Sequence, residues 1–206
     1  MSSEPTFDAI CATLKVAVAT LREAGVQFLL GGSLAAWARG GPRPQNDLDL
    51  MVKPEDAERA LGALAEAGMR PENPPEEWLF KAWHDGVLID LIFEPAGLTM
   101  TDEVLARAES MPVMAIETPV MAIEDVLATK LCALDEHSLD YSALLGIPRA
   151  LREQIDWQAL RERTLPSPYA EAFFTLVREL GIMPAVSHPE RSSHPRVRVL
   201  PQAESG

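Results

Sequence analysis

Apolar residues recur at helical spacing over residues 5–24, at Ile10, Leu14, Val16, Val18 and Leu21. This predicts a leading helix that stops at Gly25, a residue suited to a helix C-terminus. The pattern then shortens. Val26-Gln27-Phe28-Leu29-Leu30 reads as a first strand, residues 34–39 as a helix with Ala36 and Trp37 in the core, and residues 41–46 as a loop with two prolines. A second strand spans about 47–52, where Leu48 and Leu50 alternate with Asp47 and Asp49. Pro54 opens a helix at its favoured first position, with Glu55 and Asp56 in the first turn, and that helix ends near Gly68. Residues 70–76 are proline-rich and expected to be irregular. Strands at 78–84 and 87–93 flank Asp85-Gly86, a tight hairpin signal. A short helix follows at 101–110, then a strand-like run at 112–122 that ends the sheet; the near repeat of Pro-Val-Met-Ala-Ile at 112–116 and 119–123 is read as coincidence. Residues 124–137 read as one helix, and residues 143–181 as helical with breaks at Pro148, Asp156-Trp157 and Pro166-Ser167-Pro168. Residues 183–206 have prolines, charges and no period, which predicts an extended arm or disordered tail.

Composition narrows the class. A chain of 206 residues with 47% hydrophobic and 24% charged residues is ordinary for a soluble globular protein. Charges break every apolar run before it reaches membrane-spanning length, so no membrane partner is expected. The start, MSSEPTFDAI, lacks the basic and apolar regions of a signal peptide. Cys11 and Cys132 form no disulfide framework, and together these features point to the cytoplasm. Four histidines without a Cys/His cluster argue against structural zinc. The net charge of −13 argues against a broad grip on nucleic acid. Residues 146–206 carry eight positive and seven negative side chains, so the acid is concentrated in the first 145 residues.

The chemistry gathers in LLGGSLAAWARGGPRPQNDLDLMV, residues 29–52. Strand alternation turns Asp47 and Asp49 to one face. Two adjacent carboxylates repel, and a hard divalent cation such as Mg²⁺ (or Mn²⁺) removes that cost. The glycines of Gly31-Gly32-Ser33 let a backbone approach a ligand closely, and Ser33 is placed to cap a helix beginning at Leu34, whose N-terminus attracts phosphate. An anion cradle ahead of a metal-binding pair implies a metal-bound nucleoside triphosphate. Asp90 stands alone in the apolar run Val87-Leu88-Ile89-Asp90-Leu91-Ile92-Phe93, either as a further carboxylate of the site or paired with Lys81 or a histidine across the hairpin.

Gly31-Gly32-Ser33, Arg43 and Asp47-Leu48-Asp49 together resemble the nucleotidyltransferase superfamily with a DNA polymerase β-type palm, and more narrowly its AbiEii/MenT toxins. That pattern has an arginine four residues before the first aspartate, where Arg43 stands. It has Ser or Thr two residues before it, where this chain has Gln45. The resemblance covers roughly residues 26–141 and implies an α+β fold. Residues 1–122 would form the palm, a small mixed sheet flanked by helices, with its leading helix, and residues 123–182 a helical C-terminal part. It makes Asp90 the third metal carboxylate and a candidate general base, with Asp140 the alternative third acid. It brings Lys130, with Leu131, Ala133 and Leu134, to the triphosphate, with Asp140 and Tyr141 following. Arg43 would hold phosphate. The implied activity is Mg²⁺-dependent transfer of a nucleotide, with ATP among the candidate donors, to the 3′ end of tRNA. That is the tRNA modification of a toxin whose partner is a cognate antitoxin. Transfer to a small molecule such as an aminoglycoside or to a protein side chain, and a catalytically silent antitoxin or nucleotide sensor, are the other readings. The chain has no Arg-x4-His motif of the HEPN ribonucleases.

Overall fold

The computed structural model describes residues 5–44, 47–72, 74–165 and 167–184. The expected tail at 183–206 lies outside them from residue 185 onward, as does Gln45.

Helix α1 (Phe7–Glu23) buries Ile10, Leu14, Ala17, Val18 and Leu21, and Gly25 ends it in the left-handed conformation, φ +65°. Strand β1 (Phe28–Leu30) is fully buried, and helix α2 (Gly32–Ala38) follows after one residue. Strand β2 (Asp47–Val52) leads through a turn at Pro54–Asp56 into helix α3 (Ala57–Glu66). Strands β3 (Arg70–Glu72), β4 (Leu79–His84) and β5 (Val87–Ile92) come next. Helix α4 (Asp102–Ala106) separates them from strands β6 (Glu109–Val113) and β7 (Ile116–Val120). The chain closes with helices α5 (Ile123–Cys132), α6 (Tyr141–Leu151), α7 (Trp157–Arg163) and α8 (Pro168–Glu179).

The strands form one mixed sheet in the order β3-β4-β5-β2-β1-β7-β6, parallel only at β2–β5 and β1–β7. Helices α1 and α3 pack on one face, over Leu48, Leu50, Ile89 and Leu91, all 0% exposed. Helices α2 and α5 contact each other on the opposite side, α2 lying against β2, and α7 and α8 pack on α5. Among the described residues no helix is long and apolar enough to cross a membrane.

Five local expectations change. Helix α2 starts at Gly32 with Gly31 as its cap, so the Ser33 side chain caps nothing. Residues 70–72 are an edge strand instead of irregular, because Trp83 on β4 offers both a ladder partner and an indole N–H that donates to Glu72 Oε2 at 2.7 Å. The 112–122 run is a hairpin of two strands, reversing at Met114 and Ala115, which both adopt positive φ. Its first strand claims Glu109 and so shortens the helix expected at 101–110. Pro148 lies inside α6 without breaking it; Leu144, Ile147 and Leu151 bury one stripe on both sides of it, and that packing outweighs the missing backbone donor.

Candidate active site

The parallel register of β2 and β5 sets Asp49 beside Asp90 and Asp47 beside Leu88. Strand alternation then puts Asp47, Asp49 and Asp90 on one face, with carboxylate oxygens within 4.8 Å of one another. Asp47 is exposed at the rim, while Asp49 and Asp90 are partly buried. Burial pushes the Asp49 carboxyl up to about 7; Lys130 and the Ser33 backbone N–H pull against that rise, and Asp47 and Asp90 add to it. Burial also raises Asp90, opposed by Lys81 and reinforced by Asp47 and Glu76. Lys81 faces Asp90 across the β4–β5 ladder, yet Asp90 Oδ1 is buried with no hydrogen-bond partner among the described residues. Three converging carboxylates, one with an orphaned buried oxygen, are the donor set a hard divalent cation requires. Mg²⁺ or Mn²⁺ therefore fits these residues.

The glycine turn is fixed against Asp49. The Gly31 N–H donates to the Asp49 carbonyl at 2.9 Å. Gly32 has φ +56°, and a Cβ there would fall inside the Asp49 carboxylate. The position therefore demands glycine both for its backbone conformation and for its closeness to the acid.

Two cavities open from this cluster, and both are lined by Asp49 and Lys130. The smaller, about 260 Å³, also takes in Ser33, Arg43, Asp47 and the α6 residues Leu144 and Ile147. Arg43 lies 5.0 Å from the centre of the Phe7 ring, which meets Trp37 edge-on, so an aromatic pair holds the guanidinium at the cavity wall. The larger, about 400 Å³, runs along the sheet face past Met51 and Ile92 to Trp78, Glu94 and Pro95.

Asp140 stands elsewhere. It caps α6, accepting from the backbone N–H of Ser142 at 2.9 Å and of Ala143 at 3.3 Å. The Ser142 hydroxyl, with those amides, holds it below the usual carboxylate range. It lines neither cavity, and the acid that joins Asp47 and Asp49 is Asp90. Trp78 and Glu94, which line the larger cavity, were not singled out in the sequence.

Residues 11–186 match the model of a family described as "Uncharacterised nucleotidyltransferase". No curated protein matches the chain. Among solved structures, the antibiotic-resistance factor ANT(2'')-Ia aligns with a TM-score of 0.60 at 14% identity, over 85% of this chain and 98% of that one. The crystal structure of ANT(2'')-Ia in complex with adenylyl-2''-tobramycin aligns with a TM-score of 0.57 at 16% identity, over 81% of this chain and 97% of that one. An H. pylori protein described as a nucleotidyltransferase aligns with a TM-score of 0.50 at 16% identity, over 86% of this chain and 81% of that one. At these identities the likeness is one of fold.

Proposed function

The chain belongs to this nucleotidyltransferase family, and from that premise we propose that it moves a nucleoside monophosphate from a nucleoside triphosphate to a hydroxyl of a small acceptor. The observation that carries the reading is the convergence of Asp47, Asp49 and Asp90 within 4.8 Å, between two cavities that share Asp49 and Lys130. That layout suits a two-substrate transfer, with one reactant entering from each side.

The three aspartates would hold the metal. When bound, Mg²⁺ or Mn²⁺ supplies charge neutralisation of the triphosphate and a lowered pKa for the attacking hydroxyl. Lys130 and Arg43 line the smaller cavity and bind the outer phosphates there, Lys130 as a point charge and Arg43 as a planar fork. Gly31, Gly32 and Ser33 bring main chain close to those phosphates, with no side chain at the two glycines to intervene. The acceptor oxygen attacks the α-phosphorus, the bond from that phosphorus to the β-bridging oxygen breaks, and pyrophosphate leaves. The hydroxyl proton passes to Asp90, the carboxylate with an unpartnered oxygen. In this division of labour residues 1–122 supply the metal and phosphate groups, and the helices of 123–182 bring Lys130 and the α6 wall. Asp140 serves the transfer only by starting α6.

The acceptor reading rests on charge. Arg152 pairs with Glu153, Arg161 with Glu171, Arg178 with Glu179, and Arg163 with Asp125 and Glu124. These pairs consume much of the basic surface that docking of an RNA backbone would use. The fold likeness to an enzyme crystallised with adenylyl-2''-tobramycin supports a small acceptor by analogy. The second reading keeps the 3′ end of tRNA as acceptor, with a toxin role and an antitoxin partner; the Gly31-Gly32-Ser33 to Asp47-Leu48-Asp49 pattern and the exposed Arg149 favour it.

The test is incubation of the chain with each α-labelled nucleoside triphosphate, Mg²⁺, and either a panel of amino sugars and neutral sugars or total tRNA. Label on a small molecule, lost in Asp49→Asn, is expected. Label on tRNA alone would establish the second reading, and no Mg²⁺-dependent transfer in any arm would overturn both.

A further inference from the structure

The larger cavity differs in chemistry from the smaller one. The two cavities share Asp49 and Lys130; the smaller adds Ser33 and Arg43, whereas the larger adds an indole and a carboxylate, Trp78 and Glu94. Trp78 is 43% exposed, an unusual degree for so large an apolar side chain. Its backbone is nevertheless fixed, because its carbonyl accepts from both the Phe93 and the Glu94 N–H, at 3.1 and 3.2 Å. Those two bonds hold the main chain of Trp78 and Glu94 to one piece of framework, and both residues line the cavity. The floor between them and Asp49 is Met51 and Ile92, neighbours in the β2–β5 register. Glu76 adds a further negative charge, near enough to act on Asp90.

Resting on the transfer reading above, we infer that this cavity is the acceptor site, and that it selects a small polyhydroxyl molecule carrying a protonated amine. An indole face attracts a cation or the C–H face of a sugar ring, and a nearby carboxylate adds a charge-assisted hydrogen bond from an ammonium. A neutral sugar would satisfy the stacking but leave Glu94 without a partner. An anionic acceptor would meet Glu94, Glu76 and the aspartates as like charges. The volume of about 400 Å³ suits one or two sugar-sized rings and excludes a folded nucleic acid from all but a terminal residue. With the ammonium on Glu94, hydroxyls on the same molecule reach along the Met51–Ile92 floor toward Asp49. There one of them forms its bond to the α-phosphorus, as pyrophosphate leaves and the proton passes to Asp90.

Binding to the full-length chain, measured by calorimetry with tobramycin and with the neutral disaccharide trehalose, tests this without requiring turnover. Tobramycin is expected to bind about tenfold or more tightly than trehalose. Glu94→Gln, a surface change that leaves the fold intact, is expected to lose about tenfold of tobramycin affinity, and Trp78→Ala a similar factor. A nonhydrolysable ATP analogue with Mg²⁺, titrated into the same three proteins, should bind all of them equally. If the analogue binds but tobramycin shows no preference over trehalose, or neither variant weakens it, the acceptor site is wrong and the transfer reading stands. If the analogue fails to bind the unaltered chain, the transfer reading itself fails. Mg²⁺-dependent labelling of tRNA that both variants leave unchanged would also overturn the acceptor site.

Discussion

At the residue scale the site is governed by Asp49. In the free protein burial lets it keep its proton up to about pH 7, whereas an unfolded chain releases it near the ordinary 3.8. Between those values the folded state binds the extra proton, so this group's contribution to stability falls as pH rises, and levels off above 7. A divalent cation needs the deprotonated form, so its affinity falls as pH drops below about 7. The stabilisation of the fold by Mg²⁺, read as a shift in Tm, is therefore expected to be large at alkaline pH and to shrink in mild acid. Asp49→Asn removes the buried acid without changing its shape. Its Tm without metal is expected to equal or exceed that of the unaltered chain, to ignore Mg²⁺, and to accompany complete loss of nucleotide transfer. A Tm well below the unaltered chain's would make the acid structural. Lys130→Ala should weaken a nonhydrolysable triphosphate with little change in Tm, because its ammonium faces both cavities and acts directly on Asp49. Unchanged nucleotide affinity would remove Lys130 from the site.

At the scale of elements, the site depends on two tight joints. One is the turn from β1 into α2. Gly32→Ala puts a side chain into left-handed backbone and into the Asp49 carboxylate; the backbone strain alone costs about 1–3 kcal/mol, and the displaced acid should abolish metal-dependent stabilisation. Urea denaturation with and without Mg²⁺ reads both effects. The other joint anchors α5, which carries Lys130. Asp125, 0% exposed in the first turn of α5, accepts from Arg107 Nε at 3.0 Å and Nη2 at 3.1 Å, and lies 3.3 Å from Arg163 Nη1. It ties the α4 end and α7 to α5. Asp125→Ala is expected to cost about 3 kcal/mol, the low end for a broken buried pair, since both arginine side chains are partly exposed, at 34% and 28%. It should also weaken nucleotide binding through the loosened helix; a loss of stability with nucleotide affinity intact would show that α5 holds Lys130 without this tie.

At the scale of the whole molecule, charge decides what can approach. The net charge of −13 repels polyanions and draws in cations, an effect that salt screens. Transfer to an amine-bearing acceptor should therefore slow as ionic strength rises, and Arg149→Glu/Arg152→Glu should not impair it. A fall in tRNA labelling on that charge reversal would instead return the acceptor to RNA.

The sequence by itself determined the parts whose rules are local. Alternation in Asp47-Leu48-Asp49-Leu50 sent two acids to one face, Gly31-Gly32 marked a close backbone approach, and Asp85-Gly86 marked the hairpin that presents Asp90. The α+β layout with a mixed sheet, which the structure has, was an implication of the family resemblance and not of these short-range signals. Only the tertiary structure decided what converges. Asp90 joins the pair because β2 and β5, separated by a helix and two strands, run parallel in one particular register, and no local pattern encodes that register. The same holds for the edge strand at Arg70–Glu72, which exists because a partner strand arrives beside it, and for Pro148, tolerated because both sides of it are buried. Asp140 entered through the family resemblance, and its place at the start of α6 gives it a cap to make. Trp78 and Glu94 were silent in the sequence because a cavity is a relation among surfaces from separate elements, and it comes into being only when the sheet and α5 close on each other.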